Sequence, residues 1–555
     1  MVKFASMADV LTERPRDRRP YWTSADDQPG PVDTNPDRDT GLSGPVGPLR
    51  NTPASSRVRP PQRRLRAWHV LVAATAAGFA LLQAALRLRY LLRAPYLVDE
   101  LEHLHGAYLV SRGARPYAGF FEHHPPLYSL GIGHLLPSAP GLSTLTAVRF
   151  IAAVAALATM ALVVWWANRI GGRQAAVVTA VLALTNVFWL FTGSLALLDT
   201  FAGFLLVVMA IALTGTGRPI LRAFVAGLAL AGGMLMSQKL FLASVLPLAA
   251  AFGSWRRHGT RQTLRVAASA LAGLIVVAGI VALLLGPAGV RGYWRDTWAL
   301  NFRWKARHRP WAELRELARS GGPVYLVAAF GAGLQLLGLV RRRLRVVPAD
   351  IVALSIAAYS LGALVLPVVW PEYFVSFVPF LVLMAGLAIT AVGRRWQWGR
   401  APLHLARRPI TTPLRLVGAT FAIVVFAAVP LAKQLGSRHA DNAAQRARIA
   451  FVLAATRPDE TVFDSYTGYG VFRRDAYRYW FLHDEVQLML TDRQKGADIV
   501  AAIRSARPAL MFTDGYTDTL PAAVRAEIRR VAVPTVFPDI WCRADLATRC
   551  ANAGR

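Results

Sequence analysis

The sequence predicts a polytopic α-helical membrane protein of about eleven transmembrane helices with a small C-terminal α/β domain. Of its 555 residues, 54% are hydrophobic and only 17% are charged, against about 25% charged in a typical soluble protein. Apolar runs of about 20 residues, long enough to cross a ~30 Å hydrocarbon core, recur along the chain. The basic clusters between them fall on alternate loops, as the positive-inside rule requires. This composition excludes a soluble multidomain enzyme.

The predicted transmembrane helices are apolar runs separated by polar or glycine-containing turns. They lie at residues 67–86, 146–167, 174–192, 198–215, 219–237, 239–254, 264–286, 323–340, 350–370, 373–393 and 412–432. With a cytoplasmic N-terminus, the inside turns hold the arginine clusters near residues 57–66, 169–173, 218–222, 256–265, 341–345 and 394–408. An odd number of helices then places the C-terminus outside the cytoplasm.

The chain is strongly basic, with 63 Lys and Arg against 32 Asp and Glu and a formal net charge of +31. Nucleic-acid binding would require this charge to gather on one face. Here it is divided into short clusters between apolar runs, which indicates contact with membrane lipids. No nucleic-acid partner is predicted.

Three regions surround or interrupt the helices. Residues 1–60, rich in Pro, Asp, Arg, Ser and Gly, are expected to be a disordered cytoplasmic arm. Residues 61–435 form the transmembrane domain, with outside loops at about 87–145 and 287–322. Residues 436–555 are expected to fold as an extracytoplasmic α/β domain.

The C-terminal domain is expected to contain β-type runs at 461–463 and 509–512 and helical runs at 443–456 and 521–531. Cys542 and Cys550 are the only cysteines of the chain. On the oxidising side of a membrane they could form a local disulfide, and two free thiols are the alternative.

Two carboxylates, Asp99 and Glu100, follow the first predicted membrane exit. The stretch 100–111 can form a helix lying in the membrane interface, with Leu101 and Leu104 on its apolar side. A carboxylate at this place could act as a base at the bilayer surface. It could equally stabilise the N-terminus of the helix through the helix dipole. The residues alone leave both interpretations open.

The loop at 287–322 departs from the positive-inside pattern. It interleaves basic residues with tryptophans: Arg291, Trp294, Arg295, Trp298, Arg303, Trp304, Lys305, Arg307, His308, Arg309 and Trp311. Positive charge on the outer side favours an anionic ligand such as a lipid phosphate, whereas an interfacial belt is the alternative. Arg303 and Arg307, four residues apart, would share one face of a helix and are the candidate phosphate ligands.

The first outside loop carries a specific order of motifs. Asp99-Glu100 is followed by Gly113-Ala-Arg-Pro-Tyr117 and then by His124-Pro-Pro-Leu127. This order resembles the first luminal loop of the GT-C membrane glycosyltransferases, and most closely the protein O-mannosyltransferase-like superfamily. That superfamily includes polyprenyl-phosphate-mannose–protein mannosyltransferases, lipid A aminoarabinose transferases and lipopolysaccharide-core galacturonosyl transferases.

Further stretches agree with this resemblance, which covers about residues 67–395. Arg149 begins the second predicted helix, and Asp199 stands at the family's second acidic position. The run Gly227–Lys239 is similar to a Gly-rich helix that ends in Ser-x-Lys. Pro371-Glu-Tyr-Phe374 is similar to the entry of a late helix. The C-terminal domain matches no motif of the family.

The resemblance implies a GT-C-like fold and a membrane glycosyltransferase. Such an enzyme moves a sugar from a polyprenyl-phosphate-linked donor to an extracytoplasmic glycan, lipid or protein acceptor, with inversion. By resemblance, Asp99 is the general base and Glu100 orients the acceptor. The residues expected to bind substrate are Asp199, Lys239, His124, Glu122, Arg303 and Arg307. Lys239, at an outer helix end, suits the charge of a leaving lipid phosphate, with snorkelling to the interface as the alternative.

No cofactor and no metal ligand are assigned. Adjacent His123 and His124 point in different directions on an extended chain and form a poor metal site. One of them could still join Asp99 or Asp199 around a divalent ion, which remains an alternative.

A second class of function is a lipid-linked saccharide transporter or a non-catalytic binding protein on the same helical frame. A transporter should show inverted repeats and polar residues at mid-membrane. The sequence shows no repeat, and its acidic residues gather outside the apolar runs. An enzyme is therefore favoured.

Overall fold

The computed structural model describes residues 62–303, 311–312, 314–315, 322–366, 371–398, 432 and 441–554. The predicted arm 1–60, Arg307, and all but one residue of the predicted helix 412–432 lie outside these residues. The chain divides into two compact units, Met1–Leu81 and Leu82–Arg555. All contacts given below lie within the second unit.

The membrane region is built almost entirely of helices. Their bounds are α1 (Gln62–Arg93), α2 (Val98–Ser111), α3 (Leu127–Gly133), α4 (Leu142–Thr185), α5 (Val187–Thr192), α6 (Leu198–Thr214), α7 (Pro219–Met236), α8 (Val245–Tyr293), α9 (Pro323–Arg341), α10 (Pro348–Val365) and α11 (Val378–Trp398). Short 3₁₀-helices precede α8, at Gln238–Ser244, and α11, at Pro371–Phe377. A short π-helix follows α8 at Trp294–Ala299.

Six helical stretches of the described residues are long and apolar enough to cross a membrane, and the apolar α6 is shorter. At ~1.5 Å per residue, the 44 residues of α4 would span about 66 Å, twice the hydrocarbon core. The helix is interrupted at Gly172, whose φ of 76° few other residues adopt. A similar break at Gly259 divides α8. Both breaks fall in the turns that the sequence predicted, so the fold is that of a multi-pass membrane protein. The count of eleven helices is not confirmed.

Helices α7 and α8 approach each other backbone to backbone. A Cβ atom added at Gly227 would lie 1.9 Å from the carbonyl oxygen of Ala270, and one at Gly273 would lie 2.2 Å from that of Phe224. Small residues allow membrane helices to pack this closely in the absence of a hydrophobic driving force. Gly227 of the Gly-rich run of α7 therefore has a role in packing this helix against α8.

The C-terminal region is an α/β fold. Its helices are α12 (Ala443–Ala455), α13 (Asp484–Met489), α14 (Asp492–Lys495), α15 (Ala497–Ala506), α16 (Gly515–Thr519), α17 (Ala522–Val531) and α18 (Ala547–Ala553). Its strands are β1 (Thr461–Phe463), β2 (Arg474–Asp475), β3 (Leu510–Phe512), β4 (Ala532–Pro534) and β5 (Ile540–Arg543). They form a mixed sheet of order β2-β1-β3-β5-β4, in which β1 pairs in parallel with β2 and β3. The predicted strands and helices of this region are confirmed.

A disulfide joins Cys542 on β5 to Cys550 on α18. It fastens the last helix to the sheet, as expected for the oxidising side of a membrane. The outside location of residues 436–555 and the cytoplasmic location of the N-terminus stay predictions.

The C-terminal region packs directly on the start of α2. The Tyr96 amide donates to the Gln445 side chain over 2.7 Å, and the Gln445 amide group donates to the Tyr96 carbonyl over 2.9 Å. Farther along α2, His105 Nε2 lies 2.5 Å from Asp475 Oδ2. These contacts place α2 against the C-terminal region.

Candidate active site

The first turn of α2 separates the roles of Asp99 and Glu100. The Leu97 amide, at the N-terminus of α2, donates to Glu100 Oε1 over 3.0 Å, so Glu100 caps the helix. The half-buried carboxylate of Asp99 makes no hydrogen bond or ion pair with any described residue. The role at the helix N-terminus that the sequence offered as an alternative therefore belongs to Glu100. The oxygens of Asp99 are not used as a cap.

Glu100 is held by Arg149, which stands near the start of α4. The guanidinium donates to both oxygens of Glu100, over 2.6 and 2.8 Å, and the two side chains are 3% and 1% exposed. The Ala196 amide donates to Glu100 as well, over 2.9 Å. Arg149 also donates to the carbonyls of Ala94 and Pro95 after α1. This network ties α2 to the ends of two other helices and orients the turn that carries Asp99.

Four ionisable side chains from separate elements act on the Asp99 carboxylate. Burial raises the pKa of Asp99, and Asp199 raises it further, whereas His124, His483 and Lys239 lower it. The structure thus brings together Asp99, Asp199, Lys239 and His124, which the sequence had identified in separate motifs. A carboxylate whose pKa is raised by its surroundings is a stronger base than one in water.

Lys239 is positioned by two of the family-like motifs. Its Nζ lies 2.8 Å from Asp199 Oδ2 and 3.4 Å from the centroid of the Tyr373 ring. The Ser237 hydroxyl donates to the other oxygen of Asp199 over 2.9 Å. The Ser376 hydroxyl donates to the Asp199 carbonyl over 3.0 Å. The ends of α6, α7 and the turn before α11 therefore meet around one ammonium group, which is ion-paired rather than extended toward the interface.

The segment that contains Glu122 and His124 is fixed from both sides. Tyr117, which adopts a φ of 66°, donates its hydroxyl to the His124 carbonyl over 2.6 Å. The His124 amide donates to Glu122 Oε1 over 2.9 Å, and the Asn301 side chain donates to the His123 carbonyl over 3.0 Å. The Gly-x-x-Pro-Tyr motif therefore holds the His-Pro-Pro motif in place.

Carboxylates and imidazoles gather next to this segment. The ligand atoms of Glu102, Glu122, His123 and His124 all lie within 4.8 Å of one another, so these side chains could hold a metal ion. Sequence reasoning missed Glu102, although it follows Asp99 by three residues and so lies on the same face of α2.

The C-terminal region contacts the segment before the Pro-Pro turn through two hydrogen bonds and an aromatic contact. Arg478 donates to the Tyr117 carbonyl and the Trp480 indole donates to the Phe121 carbonyl, each over 2.9 Å. The ring of His483 lies 5.8 Å from that of His123. His483 was missed by sequence reasoning, because the C-terminal domain carried no motif that could have indicated it.

The predicted arginine pair of the second outside loop does not join this cluster in the described residues. Arg303 is exposed, at a turn in which its amide donates to the Leu300 carbonyl over 2.8 Å. Arg307 lies outside the described residues. Their expected contact with phosphate stays a prediction.

A scan against family models finds no match, and no curated protein sequence matches the chain significantly. Solved structures do match. ArnT from Cupriavidus metallidurans in the apo state is 15% identical, with a TM-score of 0.57 over 87% of this chain and 99% of that chain. Its structure bound to undecaprenyl phosphate is 16% identical, with a TM-score of 0.56 over the same shares, 87% and 99%.

A third match is the archaeal oligosaccharyltransferase AglB from Archaeoglobus fulgidus, in complex with an inhibitory peptide and a dolichol-phosphate. It is 11% identical, with a TM-score of 0.50 over 84% of this chain and 72% of that chain. ArnT and AglB are both GT-C glycosyltransferases. The GT-C fold expected from the sequence resemblance is therefore confirmed.

Proposed function

We propose that this protein is a membrane glycosyltransferase that uses a polyprenyl-phosphate-linked sugar and acts on an extracytoplasmic acceptor with inversion at the anomeric carbon. The observation that carries the proposal is the position of Asp99. Its carboxylate has no hydrogen-bond or ion-pair partner among the described residues and faces Lys239, His124 and His483. ArnT binds undecaprenyl phosphate and AglB binds a dolichol-phosphate, which supports a polyprenyl phosphate as the lipid of the donor here.

In the proposed reaction Asp99 is the general base. It accepts the proton of an acceptor hydroxyl while the hydroxyl oxygen forms a bond to the anomeric carbon. The bond between that carbon and the phosphate oxygen breaks on the opposite face, and its electron pair leaves with the lipid phosphate. A positioned base of this kind contributes typically 10²–10⁴-fold to a rate.

The proposed role of Lys239 is to stabilise the charge that develops on the leaving phosphate. Its contacts with Asp199 and Tyr373 hold the ammonium group in one place before the donor binds, which lowers the reorganisation required at the moment of reaction. Asp199 is therefore assigned to positioning Lys239. Glu100 is likewise a positioning residue, since Arg149 and two backbone amides take up its oxygens.

The test uses the purified intact protein in lipid and synthetic polyprenyl-phosphate sugars. It measures release of free polyprenyl phosphate in the presence of an extract of envelope acceptors. Asp99→Asn keeps the shape of the side chain but removes its basicity, and it should lower turnover at least about 10²-fold while donor binding persists. The matched control is Asp492→Asn, at a side chain that is 99% exposed.

Two outcomes would contradict the proposal. Near-normal transfer by folded Asp99→Asn protein would remove Asp99 as the base. Tight donor binding by the wild type, without release of polyprenyl phosphate from any of the sugars, would favour the transporter or binding-protein alternative. Mass spectrometry of envelope glycans and glycoproteins from a deletion strain, compared with wild type, would identify the sugar and the acceptor.

A further inference from the structure

Beside Asp99 lies a buried cluster of four side chains, the quartet Glu102, Glu122, His123 and His124. The first three are 4%, 3% and 5% exposed, and the His124 side chain is 27% exposed. Glu102 comes from α2 and the other three come from the segment before the Pro-Pro turn. No part of the transfer reaction described above requires two buried glutamates at this place.

The charge of the quartet is not balanced by a basic side chain. Among the described residues, no Lys or Arg forms an ion pair with Glu102 or Glu122, and the ion-pairing partners of both are imidazoles. Buried carboxylates without strong partners are destabilising, so a cation between them would stabilise the site.

The distances fit a small metal ion. His124 Nδ1 lies 3.2 Å from Glu122 Oε1 and 3.7 Å from Glu102 Oε1, and His123 Nδ1 lies 3.4 Å from Glu102 Oε1. Ligand atoms that surround Zn²⁺ tetrahedrally at about 2.0–2.2 Å are themselves roughly 3.3–3.6 Å apart. These three distances fall at or near that range, and all four ligand atoms lie within 4.8 Å of one another.

One further feature points to a missing partner at this place. His103 is 7% exposed, neither of its ring nitrogens has a partner within hydrogen-bonding geometry among the described residues, and its ring lies edge-on to that of His124 at 4.7 Å. Buried polar atoms are rarely left unpaired unless a water or an ion completes the site.

We propose that the quartet binds one divalent transition-metal ion of the zinc class. Two imidazole nitrogens and two carboxylate oxygens suit Zn²⁺ or Co²⁺, whereas Mg²⁺ and Ca²⁺ prefer oxygen ligands alone. The ion would fix the His124 ring beside Asp99 and neutralise the carboxylates under it. This inference replaces the expectation that Glu122 and His124 contact the substrate directly. It concerns the proposed active site but does not rest on the transfer reaction.

The test measures metal binding by the intact, purified protein after removal of any affinity tag and treatment with a chelator. Titration with Co²⁺ should give the strong visible absorption of a tetrahedral complex at one ion per chain, and Zn²⁺ should displace it. Glu102→Gln and His123→Gln should each bind Zn²⁺ at least about tenfold more weakly. His134→Gln, at an exposed histidine after α3, is the matched control and should bind like the wild type.

Absence of a stoichiometric Co²⁺ spectrum in the wild type would overturn the inference without reference to any variant. Equal Zn²⁺ affinity in folded His123→Gln and the wild type would overturn it too. The competing arrangement, a protonated Glu102 hydrogen-bonded to His123, predicts both of these results. Transfer of sugar by metal-free protein that binds no Co²⁺ would contradict the metal site alone, and a metal-loaded protein without transferase activity would contradict the proposed function alone.

Discussion

Glu100 and Arg149 form a buried bidentate ion pair in which the guanidinium nitrogens lie 2.6 and 2.8 Å from the two carboxylate oxygens. The pair joins the first turn of α2 to the start of α4. The pair therefore helps to set the position of the proposed base, Asp99, which precedes Glu100 in the chain.

Replacing Glu100 with Gln should reduce stability more than it changes the chemistry. The substitution leaves the Arg149 guanidinium buried without its counter-charge, which costs roughly 3–5 kcal/mol. The thermal unfolding of the detergent-solubilised protein measures this effect. Glu460→Gln is the control, because the Glu460–Arg549 pair is partly exposed, at 20% and 29%, and should contribute only about 0–1 kcal/mol. Equal stability of the two variants would show that the buried pair does not hold α2 in place.

The motif residues were predictable from the sequence because each stands at a helix end that the apolar runs already located. Asp199 and Lys239 fall at such ends, and Asp99 follows the first predicted membrane exit, so their meeting follows from the topology. Arg149 was visible at a helix start, but its partner 49 residues away was not. His483 could not be predicted at all, since its place depends on how the C-terminal domain packs on α2. The breaks of α4 at Gly172 and of α8 at Gly259, by contrast, fall in turns that the sequence predicted.

Lys239→Ala should weaken the binding of undecaprenyl phosphate about 10- to 100-fold. One charge-assisted hydrogen bond to a phosphate contributes about 1.5–3 kcal/mol. Binding to the purified protein, followed by native mass spectrometry, gives the affinity. Lys495→Ala, in the C-terminal domain, should bind like the wild type.

The variant Lys239→Ala also leaves Asp199 without its partner, so a second variant is required. The double variant Lys239→Ala/Asp199→Asn removes the stray negative charge. If Lys239 contacts the phosphate, the double variant should bind as weakly as the single one. Recovery of wild-type affinity in the double variant would mean that repulsion by Asp199 caused the loss.

The topology can be tested with reporter fusions. A reporter fused after residue 440 should be active outside the cytoplasm, and one fused at residue 260, beside the break at Gly259, should behave as cytoplasmic. Because Tyr96 and Gln445 are hydrogen-bonded to each other, the first outside loop and the C-terminal domain must share one side. A cytoplasmic signal at 440 would therefore move the proposed active site to the cytoplasm as well.

The contact between α2 and the C-terminal domain should weaken as the pH rises. Burial raises the pKa of Asp464 to about 7, with repulsion from Asp514 and Asp475 adding to the effect. Burial lowers the pKa of His105, but Asp475 and the Val471 carbonyl more than offset this, so that pKa is raised too. Both groups bind protons more tightly in the folded protein than in the unfolded chain.

The stabilisation from Asp464 is therefore complete below about pH 4, the ordinary pKa of an aspartate, and is lost as the pH rises through about 7. The loss amounts to a few kcal/mol at most, at about 1.4 kcal/mol per pKa unit. The His105 contribution falls in the same direction, above its ordinary pKa of about 6.5. The unfolding temperature should decline as the pH is raised from about 5 to about 8. Asp464→Asn should flatten this decline, and an unchanged slope would assign the pH dependence to other groups.

Gly468→Ala should loosen the C-terminal domain from α2. Gly468 has a φ of 71°, and a Cβ there would lie 2.7 Å from Cβ of Leu101, which is fully buried in the same contact. An alanine would thus be strained in its backbone and would push α2 away, at a combined cost of roughly 1–3 kcal/mol. The matched control is Gly515→Ala, where no atom lies within 4 Å of the added Cβ and φ is not positive. Limited proteolysis of the membrane-embedded protein should cut the first outside loop faster in Gly468→Ala than in Gly515→Ala.

Since this loop carries both Asp99 and the histidines, transferase activity should also fall in Gly468→Ala. Equal cleavage rates in the two variants would mean that the C-terminal domain does not hold the loop in its working position, and His483 would then lose its place in the site.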